Sequence, residues 1–208
     1  MKRSAVLLCA AIAACVRNDP HTSRLEFQQL IETALSADLA QARLGKRLIC
    51  VQREFDPPLH ETQEQWQLAK AIPSGWSAPF NPSNAQLPSP VDAQTEHRLE
   101  TAIKDALTGR VKVARTSAIQ SVPAPLLLDS SGPNQESACE RDMPHDLGPA
   151  KPNGPQEVSL TRPVFVEGFA FIEYASGCGG LCFGSFLKAF ERRNGKWVYV
   201  AAAPLAVG

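Results

Sequence analysis

The residue pattern predicts an α+β domain: two or three helices packed on an antiparallel sheet with a C-terminal four-stranded meander. Three observations carry this. Apolar residues recur at helical spacing in two segments of the first half. Apolar and aromatic runs crowd the C-terminal quarter, at strand lengths. Two of those runs flank Asn194-Gly195, the dipeptide that most strongly marks a β-hairpin.

The chain opens with Lys2 and Arg3, continues with an uninterrupted apolar stretch from Ala5 to Ala14, and turns polar at Arg17-Asn18-Asp19-Pro20. That is the charged, apolar and small-residue order of a secretory signal. It is shorter than the roughly 20 apolar residues of a membrane span. Residues 1–14 are therefore expected to be a signal peptide, 15–22 a tether and 23–208 a single domain.

Within that domain, Ser23-Arg-Leu-Glu26 has capping-box spacing, and Phe27, Leu30, Ile31, Ala34, Leu35 and Leu39 follow with a helical period until Gly45. One amphipathic helix is expected there. Its polar face carries both signs of charge, which disfavours a membrane surface as its partner. Lys46 to Phe55 reads as a buried strand ended by Asp56-Pro57-Pro58, and Glu61 to Ile72 as a weaker helix. Prolines and small polar residues then predict an irregular segment near 73–91, with Trp76 and Phe80 pinning it to the core.

Asp92 is placed to cap a further helix, whose buried face is Leu99, Ala102, Ile103, Ala106 and Leu107 and whose end is Gly109. Short strands are expected at Val111–Ala114 and Pro125–Leu128, and a second irregular segment near 130–157. The meander comprises Val158–Val166, Phe169–Tyr174, Ser185–Arg193 and Lys196–Ala203. A two-residue turn sets Arg192 opposite Trp197 and Phe190 opposite Tyr199, so an aromatic pair and a cation over Trp197 are expected on one face.

Ile12-Ala13-Ala14-Cys15 resembles the lipobox of bacterial lipoproteins. The resemblance implies cleavage before Cys15 and diacylglycerol on its sulfur, an anchor of two or more chains that holds stably to a membrane. Val16 after the cysteine lacks the Asp that often signals inner-membrane retention, so the outer membrane, facing the periplasm, is the expected address. Four cysteines then remain, Cys50, Cys139, Cys178 and Cys182, and an even number in an exported chain reads as disulfides. Three pairings are open; the favoured one joins Cys178 to Cys182 and Cys50 to Cys139.

The C-terminal segment, Pro163 to Tyr174, Cys178-Gly-Gly-Leu-Cys182-Phe-Gly184 and Asn194-Gly-Lys-Trp197, resembles a diffuse set of uncharacterised bacterial exported proteins and lipoproteins with a Cys-Gly-x-Leu-Cys loop in a β-meander. It departs from them in placing Phe183 directly after the second cysteine. The resemblance implies fold and address, and no catalytic residue, cofactor or substrate.

Charge and motifs narrow the function. Lys and Arg number 21 against 21 Asp and Glu; that balance disfavours nucleic acid as a partner. His-Glu-x-x-His and Gly-x-Ser-x-Gly are absent, and Ser185 lacks the strand-turn-helix setting of a nucleophile elbow. His21, His60, His97 and His145 are scattered, with one close cysteine pair to join them, so no metal is expected. The leading expectation is a non-enzymatic envelope lipoprotein that binds another envelope component. Thiol-disulfide redox chemistry at Cys178 and Cys182 is the enzymatic alternative, although strands rather than a helix N-terminus flank them. A small-ligand carrier, with a concave sheet face lined by Phe165, Phe169, Phe171 and Phe186, is the third.

Overall fold

The computed structural model describes residues 24–45, 48–55, 75–79, 89–107, 112–114, 116, 118–129, 156–177 and 183–207. The signal peptide, Cys15, the tether, the helix expected over Glu61–Ile72, Phe80, Cys139, Cys178 and Cys182 lie outside them, as do most of the irregular segments. The architecture is α+β, with the C-terminal meander as its centre.

The apolar stripe of the first helix is buried as its period requires: Leu30, Ile31 and Leu35 are fully covered. One correction concerns continuity. The stripe runs through two helices, α1 (Arg24–Ala34) and α2 (Ser36–Arg43), which part at Leu35. The carbonyl of Ala34, at the break, accepts from the side chain of Lys188, and a side chain inserted into the helical ladder is a recognised cause of kinks. The ladder resumes at once, with the Leu39 amide bonding the Leu35 carbonyl at 2.9 Å.

Strand β1 (Ile49–Gln52) follows, its first three residues buried. Helix α3 (Ala93–Leu107) starts where Asp92 can cap it: Oδ1 accepts the Thr95 amide at 2.8 Å and Oδ2 the Thr95 hydroxyl at 2.7 Å. Those two donors favour the ionised carboxylate and hold the Asp92 carboxyl below its usual range. Strands β2 (Lys112–Val113) and β3 (Leu127–Asp129) are short.

The strand expected over Val158–Val166 is divided into β4 (Gln156–Leu160) and β5 (Val164–Val166) by Thr161-Arg162-Pro163, because Pro163 has no amide hydrogen to give. Both lie along one edge of β6 (Phe169–Gly177), and the Thr161 hydroxyl bridges the gap by accepting the Glu173 amide at 3.0 Å. Strand β7 (Phe183–Arg193) covers the other edge of β6, and β8 (Lys196–Val207) pairs with β7. Glu167-Gly168 and Asn194-Gly195 close their hairpins with positive φ at both residues, as type I′ turns require.

The sheet is mixed rather than wholly antiparallel: β1 pairs parallel with both β3 and β4. Parallel strands are covered on both faces, and this sheet is. Ala170, Ile172, Tyr174 and Phe190 face α1, while Phe169, Phe171, Leu187 and Ala189 face α3. Trp76 is 3% exposed and lies against Phe171, pinning its segment to the second face as expected.

Helix α1 is fastened to the outer edge of β8. The Gln29 amide takes both backbone groups of Trp197, donating to its carbonyl at 2.9 Å and accepting its amide at 2.8 Å. Glu26 pairs with Arg192. The expected register and the Phe190–Tyr199 pair are present, with ring centroids 5.4 Å apart. Arg192 is committed to Glu26, and the ring against Trp197 is Phe165 at 5.7 Å, which corrects the cation expected there.

Gln29→Ala removes the two hydrogen bonds to Trp197, each contributing about 1 kcal/mol net, together with a longer one to the Thr33 hydroxyl on its own helix. A loss of roughly 2 kcal/mol in urea unfolding, with the slope unchanged, is expected. On the α3-facing side, burial pushes the Glu173 carboxyl up from 4.5 to about 7, and among the described residues its Oε2 has no hydrogen-bond partner. The folded state thus holds a proton that the unfolded state releases, so stability falls as pH rises from about 4.5 to about 7. Thermal unfolding of Glu173→Gln across that window should lack the fall and end above the wild type.

Candidate functional site

The alternation of β7 places Phe186, Lys188 and Phe190 on the α1-facing side of the sheet. Position 188 opposes Ile172 on β6 and Ala202 on β8. A lysine there is buried, at 7% exposure. Its Nζ donates to the Ala34 carbonyl at 2.8 Å and sits over the Tyr174 ring, 3.4 Å from the centroid, with the Tyr199 ring 5.8 Å away. Ala34 ends α1, where the helix dipole also favours a cation.

Helix α2 brings Asp38 to the same place. It lies seven residues beyond Ile31 on the buried stripe and is 5% exposed. Its Oδ1 accepts the Tyr174 hydroxyl at 2.7 Å; its Oδ2 is buried and has no hydrogen-bond partner among the described residues. The Gln156 side chain reaches toward both Asp38 Oδ1 and the Tyr174 oxygen at 3.4 Å.

Burial governs the protonation of this cluster. It raises the Asp38 carboxyl, against the opposing pull of Lys188 and the Tyr174 hydrogen bond. It lowers the Lys188 ammonium from 10.5 to about 8, with Asp38 pulling the other way. Tyr174 is driven well above its ordinary value by burial and the adjoining carboxylate, so its hydroxyl stays a donor, and Tyr199 is pushed up to about 12. Burial thus draws carboxylate and ammonium toward one another in proton affinity, while the Coulombic attraction between them works the other way.

These groups line a cavity of about 440 Å³ between α2 and the sheet. Asp38, Gln156, Tyr174 and Lys188 form its polar wall, while Phe186, Ala202 and Pro204 contribute apolar surface. A bulge shapes the apolar side. The register slips between Ala189 and Phe190, leaving Val200 of β8 unopposed. Side chains on a strand alternate, so Tyr199 and Ala202 would otherwise face opposite ways; the extra residue puts both on the cavity side.

The expected site residues fall elsewhere. Cys50 is buried in β1 and is disulfide-bonded. Cys15, Cys139, Cys178 and Cys182 lie outside the described residues, and with them the lipid anchor, the cysteine pairing and the redox alternative. His97 stands exposed on α3, and no group of three metal-ligating side chains forms among the described residues. No helix among them is long and apolar enough to cross a membrane. The four phenylalanines of the carrier reading do not share a face. Phe165 packs in the core beneath α1, Phe169 and Phe171 face α3, and Phe186 alone lines the cavity. The error is one of parity, since Phe165 and Phe169 sit on opposite sides of a turn.

Asp38, Tyr174, Lys188 and Gln156 were not anticipated, although a signal existed for two of them. Lys188 interrupts an alternating aromatic row, Phe186-x-Lys188-x-Phe190, and Asp38 occupies a stripe position. Comparison of the chain with known protein families, with curated proteins and with solved structures gives no match.

Removing either charge of a buried pair leaves the other uncompensated. Lys188→Met and Asp38→Asn should each destabilise by about 3 kcal/mol, and the double variant by clearly less than the sum. Because the folded Lys188 sheds its proton near pH 8 and the unfolded one near 10.5, stability contributed by this site grows as pH rises through that interval. In denaturant titrations from pH 8 to 10, Lys188→Met should lack that rise.

Proposed function

We propose that this protein is a bacterial envelope lipoprotein, tethered through an acylated Cys15, that binds a small neutral amphipathic molecule in the cavity between α2 and the sheet. The observation that carries the binding reading is a carboxylate, Asp38, and an ammonium, Lys188, that offset one another's charge in the wall of an otherwise largely apolar space. Buried charged groups cost stability unless well paired, and here one carboxylate oxygen has no partner. A protein selected for stability alone would fill such a space with apolar side chains; one that binds keeps a few polar groups to orient its ligand.

The chemistry of the wall selects the ligand class. Opposite charges on Asp38 and Lys188 cancel, so neither an anion nor a cation is favoured over a neutral head. Lys188 supplies a donor, which suits a carbonyl, hydroxyl or ether oxygen. Phe186, Pro204 and Ala202 accept an apolar body. This reading supports the carrier alternative over a protein-binding surface, with the anchor as its address.

Benzyl alcohol, neutral and amphipathic, is a suitable probe. At ten times its dissociation constant it should stabilise the protein by about 1.4 kcal/mol, raising the melting temperature by roughly 3–5 °C in a protein of this size. Ala202→Phe, which fills the cavity from β8, should melt cooperatively and show no shift. An equal shift in the variant would refute the cavity as the site. Separately, Cys15→Ser should move the protein from the membrane pellet to the soluble periplasmic fraction; retention in the pellet would refute the anchor.

A further inference from the structure

We propose that Lys188 is a nucleophile that captures a carbonyl compound in the cavity as a covalent imine, with Asp38 carrying the proton exchanged in the process. The inference rests on the binding reading above and names its ligand class: an aldehyde or ketone with a compact apolar body.

The placement of Nζ supports it. An amine nitrogen has two hydrogens and a lone pair; an ammonium has three hydrogens. Lys188 has two protein partners for its hydrogens, the Ala34 carbonyl at 2.8 Å and the face of the Tyr174 ring at 3.4 Å. Among the described residues no third acceptor is bonded to it, and the residue lines the cavity. The two contacts fix the nitrogen by the hydrogens that a neutral amine also possesses, leaving the remaining position for a proton in one form and the lone pair in the other.

Asp38 Oδ2, buried on the same wall without a donor, is a place for that proton. Its partner Oδ1 is occupied by the Tyr174 hydroxyl at 2.7 Å, which fixes the carboxyl and leaves Oδ2 as its basic atom. Such a lysine, held in a largely apolar pocket beside a carboxyl, has the environment that activates amines toward carbonyl carbon.

The step balances without a co-reactant. The Lys188 lone pair attacks the carbonyl carbon, the C–N bond forms, and the π pair of the C=O bond moves to oxygen. Nitrogen loses one proton and oxygen gains one, giving a carbinolamine. A second proton, relayed by Asp38 from solvent, reaches that oxygen; the C–O bond breaks as water leaves, the nitrogen pair closes the C=N bond as an iminium, and its remaining N–H proton returns to Asp38 and solvent to leave the imine. The overall change is a carbonyl and an amine giving an imine and water, with Asp38 unchanged.

The test uses the wild-type protein, so no variant need fold. Benzaldehyde with sodium cyanoborohydride at neutral pH converts any imine to a stable benzyl-lysine, whose position peptide mass mapping reads. Lys104 and Lys196, both exposed, serve as internal references. Lys188 is expected to be labelled at least tenfold faster than either, and benzyl alcohol, which cannot form an imine, should slow Lys188 alone. Labelling of Lys188 no faster than of the references, or labelling that benzyl alcohol does not slow, overturns the inference. If benzyl alcohol still raises the melting temperature while Lys188 resists labelling, the imine fails and the binding reading stands. If it neither shifts the melting temperature nor protects, both fail.

Discussion

The arrangement of this domain turns on one nitrogen. An ammonium buried among aromatic rings is costly, and Lys188 is supported from three sides, each by a different element. The carbonyl that ends α1 accepts from it, the ring of Tyr174 on β6 lies beneath it, and Asp38 of α2 opposes its charge. The helix breaks where its ladder is entered, at Leu35, and α2 then brings Asp38 to the Tyr174 hydroxyl. Moving Lys188 by one position along β7 would turn it to the α3 face and leave all three supports without purpose.

Much of this fold could be read before any coordinates. Asn194-Gly195 specified a hairpin and its register down to Phe190 against Tyr199; Asp92 announced α3; Trp76 was assigned to the core. Local chemistry suffices for such features because a turn or a cap is decided by a few neighbouring residues. What could not be read depends on distant partners. The parallel pairing of β1 with β3 and β4 joins segments far apart in sequence, and a buried strand looks the same in either pairing. The division of one helix into two falls where Lys188, more than a hundred residues away, bonds the Ala34 carbonyl. The site was the least legible part: its residues come from α2, β4, β6 and β7, and no spacing rule links them. Single-residue irregularities told only that position 38 and position 188 are polar where the pattern asks for apolar side chains.

A bulge does much of the shaping that a ligand site needs without any unusual residue. The unopposed Val200 changes the parity of β8, so that Tyr199, Ala202 and Pro204 all line the cavity. Small residues at 201 to 203 keep the backbone close to its neighbours on both faces. Ala202 is therefore both a cavity wall and a backbone partner, since its amide and carbonyl both bond Ser77.

That same edge of β8 has a consequence for how the molecules behave as a population. An open strand edge presents unpaired amides and carbonyls to any second sheet. Here Gln29 occupies both groups of Trp197 toward one end, and Ser77 occupies both groups of Ala202 toward the other, each acting as a one-residue strand. If copies are held side by side on a membrane, as proposed, their encounters are far more frequent than for a freely diffusing protein. Two short polar residues, contributing little area to the core, then act as the stops that keep neighbouring sheets from joining edge to edge.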